Sequence, residues 1–231
     1  MIRTTTAATL LAGVAATVLA TAAPAAAAPA APIPTFNYGT KSGEVLLTAE
    51  QIGEITDAPE MSVVGRSDDL IDAKSSISPK ECLSAFEPAR AESFSDADPK
   101  SVTIEQLADG KPGKAPHVVI QAVIGFSDKS ELGDHMRATA RSWKSCGGQT
   151  VTTTSKSGDE VEWQLSDPST KQDDTILVIS QRSGKANCER AIAGYGATFI
   201  DVMSCSFEGG RATGQAEDIA AQISANLADQ K

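Results

Sequence analysis

The chain has two imidazoles, His117 and His135, and either needs a partner before it can move a proton. His135 follows Glu131 by one helical turn, the spacing at which a carboxylate can hold an imidazole. On a surface helix the same spacing is an ordinary side-chain pair, and that is the expectation. His117 enters a strand and reads as a rim residue. Asp201 sits in an apolar run between Ile200 and Val202. Strand alternation turns it to solvent, which is the reading adopted. Were it buried it would need a donor, and it would then be the carboxylate of most interest. Asp96 and Asp98 begin like a calcium loop. However, Ser101 stands where the turn glycine belongs and Leu107 replaces the closing glutamate, so a solvated acidic loop is expected. Trp143 and Trp163 could line a groove, and core packing is the expectation for both.

No catalytic motif connects these residues. There is no H-E-x-x-H and no G-x-S-x-G. Gly194-Tyr195-Gly196-Ala197-Thr198-Phe199 starts like a dinucleotide loop but lacks the third glycine, and a strand follows it where a helix is needed. Gly110 to Lys114 lacks phosphate-loop spacing. No enzyme activity, metal or cofactor is expected, and the sequence identifies no ligand-binding residue. Twenty basic residues against 30 acidic ones give a net charge of −10. That balance disfavours nucleic acid and charge-driven docking on anionic lipid. Hydrophobic residues at 41% and charged residues at 22% are those of a folded globular chain.

The elements follow from punctuation and periodicity. Met1 to Ala27 reads as a signal peptide, with Arg3, an Ala-rich apolar stretch and an Ala25-x-Ala27 cleavage site. Residues 28–45 carry Pro29, Pro32 and Pro34 and read as a flexible lead-in. Residues 46–231 read as one domain. Thr48-Ala49-Glu50-Gln51 is a capping box, and Met61 to Gly65 a strand. Pro79 opens a helical turn to Phe86, and the polar stretch after it, to about Ser101, is loop or edge strand. Lys111-Pro112-Gly113 is a turn. Val118 to Phe126 is a strand covered on both faces. Ser127 caps a helix whose buried stripe is Leu132, Met136, Ala140 and Trp143. Val151 to Ser155 and Val161 to Leu165 form a hairpin, and Thr175 to Ser180 and Ala197 to Cys205 are strands. Asn187 caps a short helical segment. A last helix spans Ala212 to Leu227. The fold class is α+β, a mainly antiparallel sheet flanked by helices.

Cys82, Cys146, Cys188 and Cys205 are an even set in an exported chain, which favours two disulfides. Three pairings are possible, and sequence alone does not choose among them. Cys188 and Cys205 flank the turn at Gly194-Tyr195-Gly196, which makes them natural partners and leaves Cys82 for Cys146.

The domain resembles the PknH-like extracellular sensor domain family from about Leu46 to Leu227. The resemblance is carried by Pro79-Lys80-Glu81-Cys82, Gln121-Ala122-Val123-Ile124-Gly125-Phe126, Trp143-x-x-Cys146-x-Gly148, Cys188-x-Arg190-Ala191 and Asp201-Val202-x-x-Cys205. It implies disulfides Cys82–Cys146 and Cys188–Cys205, an antiparallel sheet flanked by helices, and a cleft that receives a ligand. No kinase domain, later membrane span or lipid-attachment cysteine is present in the sequence. The expectation is therefore a secreted, non-enzymatic domain, extracellular or in the cell envelope. It would bind an unidentified small-molecule or envelope ligand, or alternatively modulate an envelope protein partner.

Overall fold

Alternating side chains, with apolar residues on both sides, put a sheet at the centre of the chain. The computed structural model describes residues 44–72, 76–110 and 115–229. The signal peptide, most of the lead-in and the Lys111-Pro112-Gly113 turn lie outside the described residues. Val45, assigned to the lead-in, is already buried in the core.

The sheet has ten strands. They are β1 (Met61–Ser67), β2 (Ile77–Ser78), β3 (Ser101–Asp109), β4 (His117–Gly125), β5 (Thr150–Thr154), β6 (Glu160–Leu165), β7 (Ser169–Lys171), β8 (Ile176–Ser183), β9 (Ala186–Tyr195) and β10 (Thr198–Ser206). Their order is β1-β3-β4-β10-β9-β8-β6-β5-β2, with β7 beside β8. Every ladder between these strands is antiparallel. Short connections join the β5–β6, β7–β8, β8–β9 and β9–β10 pairs, because antiparallel neighbours need only a tight turn.

Helices cover both faces. Helix α1 (Ala49–Thr56) starts at the Thr48 capping box and packs with α4 (Gln215–Asp229) on one face. The core there joins Ile52, Leu107, Val119, Val123, Ile200, Val202, Ile219 and Ile223. The other face carries a 3-10 turn (Lys80–Cys82), the four-residue helix α2 (Leu83–Phe86), a 3-10 turn (Ala91–Phe94) and helix α3 (Lys129–Cys146). Its core holds Ile104, Ile124, Trp143, Trp163, Phe199 and both cystines. Trp143 and Trp163 are core residues, as their apolar surroundings predict.

Four expectations need correction. Asp128, not Ser127, caps α3, its Oδ1 accepting from the Ser130 and Glu131 N–H groups. An aspartate fits the positive end of the helix better than a serine. Asn187 starts no helix; it lies in β9, a central strand paired on both sides. Strand β3 occupies a stretch where the sequence suggests none. Its inward positions include Thr103 and Glu105, which hide the apolar alternation. Glu105 is tolerated inside because the guanidinium of Arg66 lies 2.6 Å from it and Gln121 donates to it at 3.3 Å. Asp201, expected at the surface, is fully buried.

Buried polar side chains tie outlying segments to the sheet. Gln121 of β4 accepts the Leu47 N–H at 2.9 Å and donates to its carbonyl at 2.7 Å, like one rung of an added strand. Gln181 of β8 donates to the carbonyls of Ala85 and Phe86. Glu189 and Arg190 are consecutive in β9, so they point to opposite faces. The Glu189 carboxylate accepts N–H groups from Gly214 at 2.8 Å and Glu217 at 3.2 Å, at the start of α4. Arg190 enters the opposite layer beneath α2 and α3.

Candidate functional site

Helix α3 has two stripes. Leu132, Met136 and Trp143 face the sheet, while Asp128, Glu131, Asp134, Ala138 and Arg141 recur at the same helical spacing along another flank. That flank does not dissolve into solvent. It forms one wall of a cleft of about 810 Å³. Segment 80–84 forms the opposite wall at one end, and segment 92–97 at the other. The volume lies in the range of small-ligand pockets.

The walls are fixed at several points. The Cys82–Cys146 disulfide joins the first 3-10 turn to the last turn of α3. Ser84 Oγ and Ser142 Oγ are 2.8 Å apart, and Ser142 Oγ also reaches the Glu81 carbonyl at 3.4 Å. Trp143 Nε1 donates to the Ser84 carbonyl at 2.6 Å. Arg190 Nη1 donates to that same carbonyl, and its guanidinium lies 5.1 Å from the Trp143 ring centre. Arg190 Nε and Nη2 donate to Asp201 Oδ1 and Oδ2, each at 2.8 Å. Asp201 Oδ2 also accepts the Ala89 N–H at 2.9 Å, where Ala89 holds φ 51°. The ion pair therefore fixes the chain leading out of α2 as well as the wall above it. The Cys188–Cys205 disulfide bridges directly opposed residues of β9 and β10. Both bonds are the pairing that the family resemblance implies.

His135 departs from the expected surface pair. It stacks on Phe94 with ring centres 4.5 Å apart and touches Phe126 and Phe199 at 5.3 and 5.0 Å. Glu131 instead accepts the Ser127 N–H at 3.2 Å. Burial lowers the His135 pKa; the field of Asp201 raises it and that of Arg190 lowers it further. The neutral imidazole is thus an aromatic plug that also lines the cleft.

His117 lies at the start of β4, opposite Ser206 of β10. Its Nδ1 is 3.9 Å from Asp109 Oδ2. A Cβ on Gly210 would fall 2.5 Å from Ser206 Oγ and 3.2 Å from His117 Nε2, so both side chains close on one point. Asp109, His117 and Ser206 stand in the order of a nucleophilic triad. Neither link is a hydrogen bond: Ser206 Oγ and His117 Nδ1 are buried without partners, and Ser206 is 1% exposed. A substrate carbonyl has no route to that oxygen. Asp96 and Asp98 lie on the loop beyond Phe94, where Asp98 pairs with Lys100 and Asp96 lines the cleft. Among the described residues, no cluster of three or more His, Cys, Asp or Glu side chains suits a metal. Gly194 and Tyr195 are the last residues of β9 and Gly196-Ala197 makes the turn to β10, so the stretch is a hairpin rather than a cofactor loop.

Thus the structure brings His135 and Asp96 to one cleft, places Asp201 beneath its wall, and leaves His117 elsewhere. Sequence reasoning missed Ser84, Ser93, Asp128 and Ser142. The polar stripe on α3 was the available signal, but such a stripe on one helix reads as a solvated face until a second wall is known.

These features define a disulfide-tied α+β domain with a helix-walled polar cleft. The profile of the PknH-like extracellular domain matches residues 39–226, and the chain belongs to that family. The serine/threonine-protein kinase PknH of Mycobacterium tuberculosis (strain ATCC 25618 / H37Rv) is 33% identical over 123 residues, 52% of this chain and 19% of the kinase. The PknH of Mycobacterium bovis (strain ATCC BAA-935 / AF2122/97) is 32% identical over 123 residues, 52% of this chain and 20% of the kinase. The chain therefore spans about a fifth of these relatives. The crystal structure of the extracellular domain of PknH from Mycobacterium tuberculosis superposes with a TM-score of 0.74 at 20% identity, over 80% of this chain and 93% of that one. That likeness shows the fold. Among the described residues, no helix is long and apolar enough to cross a membrane.

Proposed function

We propose that this chain is a secreted, non-enzymatic sensor-like domain that binds an envelope or extracellular ligand in the cleft between α3 and segments 80–84 and 92–97. The observation that carries the reading is the cleft itself, about 810 Å³, with walls held by a disulfide and by a buried ion pair. A fixed concave site lowers the ordering cost of binding. The family match supports an extracellular role, because the similarity is to the outer domain of a kinase. Closure of Ser206 and confinement of His135 among phenylalanines favour binding over turnover. A protein-docking role finds less support: among the described residues, Val63, 37% exposed, is the one large apolar side chain at the surface.

Native mass spectrometry of the oxidised chain, before and after incubation with an envelope extract, tests the reading. A discrete and reproducible added mass is expected, and that mass would characterise the ligand. An unchanged protein with extract components consumed would overturn the non-enzymatic assignment. An unchanged protein and an unchanged extract would overturn small-ligand binding. N-terminal sequencing of the exported protein should begin at Ala28.

A further inference from the structure

Where α2 approaches α3, the cleft is lined by uncharged side chains. Leu83 and Ser84 come from α2, and His135, Ala138, Thr139 and Ser142 from α3. Thr139 lies on the inner stripe of the helix, between Met136 and Trp143, and is 7% exposed. Its hydroxyl makes no hydrogen bond among the described residues. Nor is it sealed from solvent, as the Ser93 and Thr103 hydroxyls are, so it opens on the cleft. A hydroxyl this deep in the domain is paired only by what occupies the cleft.

His135, one turn earlier, is held by ring contacts, and its nitrogens make no hydrogen bond among the described residues. One turn later Ser142 Oγ meets Ser84 Oγ at 2.8 Å. That is the spacing of neighbouring hydroxyls on one sugar ring. A pair of hydroxyls bonded to each other uses one proton, so spare acceptor positions and a second proton remain. The floor thus offers donors and acceptors side by side, from two helices.

Its neutrality selects among ligands. A charged group pressed on this floor would lose its water and meet no opposite charge. The rim adds six carboxylates against Lys80 and Arg141, an excess that repels an anion. A hydroxyl, which both donates and accepts, matches serine and threonine in kind. Leu83 and Ala138 supply apolar area for the C–H face of a ring.

We propose that the floor formed by Ser84, His135, Thr139 and Ser142 takes a neutral polyhydroxylated ligand, a sugar ring or a short chain of them. This deepens the binding function proposed above and rests on it.

The test is amide chemical-shift mapping of the oxidised chain with maltose, cellobiose and chitobiose as neutral probes, and glucosamine and glucuronate as charged ones. Saturable shifts at residues 83–84 and 135–142 are expected with at least one neutral sugar. Thr139→Val keeps the side-chain shape and removes the hydroxyl. It should weaken that binding about tenfold, or about 1.4 kcal/mol, without lowering the urea unfolding midpoint. Thr152→Val, on β5 away from the cleft, should leave binding unchanged. Equal affinity in Thr139→Val, or a lower midpoint, would overturn the assignment of Thr139 as a ligand-facing hydroxyl and the proposal with it. Shifts from a charged probe alone would overturn the neutral class. If none of the three neutral sugars moves these amides, the proposal fails; binding itself fails only if the envelope extract also adds no mass.

Discussion

Arg190 reaches diagonally across the β9–β10 ladder and grips both carboxylate oxygens of Asp201 at 2.8 Å, with both side chains buried. Its third donor goes to the Ser84 carbonyl. Removing one partner would leave the other charge buried and unpaired. Asp201→Asn should therefore cost about 3–5 kcal/mol, read from urea unfolding with the disulfides intact. A loss below about 1 kcal/mol would mean the pair behaves like a solvated surface bridge and holds nothing.

The His135 pKa lies below its ordinary value of 6.5, chiefly because burial disfavours the charged ring. A base with a lowered folded-state pKa contributes stability above its unfolded value, and that stability is lost as pH falls through the folded value. Thermal unfolding should thus show a loss that begins near pH 6.5 on acidification. His135→Phe keeps an aromatic ring against Phe94 and should abolish that component. An identical acid profile in the variant would place the titration elsewhere.

Glu189 has the opposite sign. Burial raises its carboxyl above the ordinary 4.5, against the lowering effect of the Gly214 N–H and its neighbours. An acid with a raised folded-state pKa contributes stability that is complete below the unfolded value and is lost as pH rises through the folded one. The stability difference between the native chain and Glu189→Gln should therefore shift towards the native chain as pH falls from about 7 to about 4. A flat difference across that range would mean that the carboxyl is not desolvated.

The two disulfides should not be equivalent. Cys82–Cys146 spans 64 residues and Cys188–Cys205 spans 17. On chain entropy the first contributes roughly 4 kcal/mol and the second roughly 3. Cys82→Ser/Cys146→Ser should lose more stability and should also raise hydrogen exchange in residues 80–84, because that wall loses its covalent tie to α3. Cys188→Ser/Cys205→Ser should leave exchange in that wall unchanged. The reverse order of exchange would show that β9 and β10, not the first bond, hold the cleft.

Much of the scaffold is legible in the residues. Thr48 and Gln51 announce α1 because a capping box is local. Trp163 and Leu165 alternate with Glu162 and Gln164, so β6 declares its buried face. Strand β3 is silent because Glu105 and Thr103 occupy its interior, and only Arg66 and Gln121, from neighbouring strands, explain why Glu105 can. Asp201 is misread for the same reason: its partner lies on another strand, and one-dimensional alternation carries no information about a diagonal neighbour. The cleft is least legible. Its second wall comes from segments 80–84 and 92–97, well upstream of the start of α3 at Lys129, joined by a disulfide and ring stacking rather than by any local pattern.

The adjacency of Glu189 and Arg190 makes the alignment of β9 a matter of charge as well as shape. A slip of one residue exchanges the faces of every side chain on a strand. Here it would carry a guanidinium to the amide-rich start of α4 and a carboxylate to the Asp201 carboxylate and the Ser84 carbonyl, which accept rather than donate. Both substitutions have the wrong sign, so a misaligned β9 is penalised on both sides of the sheet at once. Two neighbouring letters of the sequence thus act as a key that fits the sheet in one alignment only.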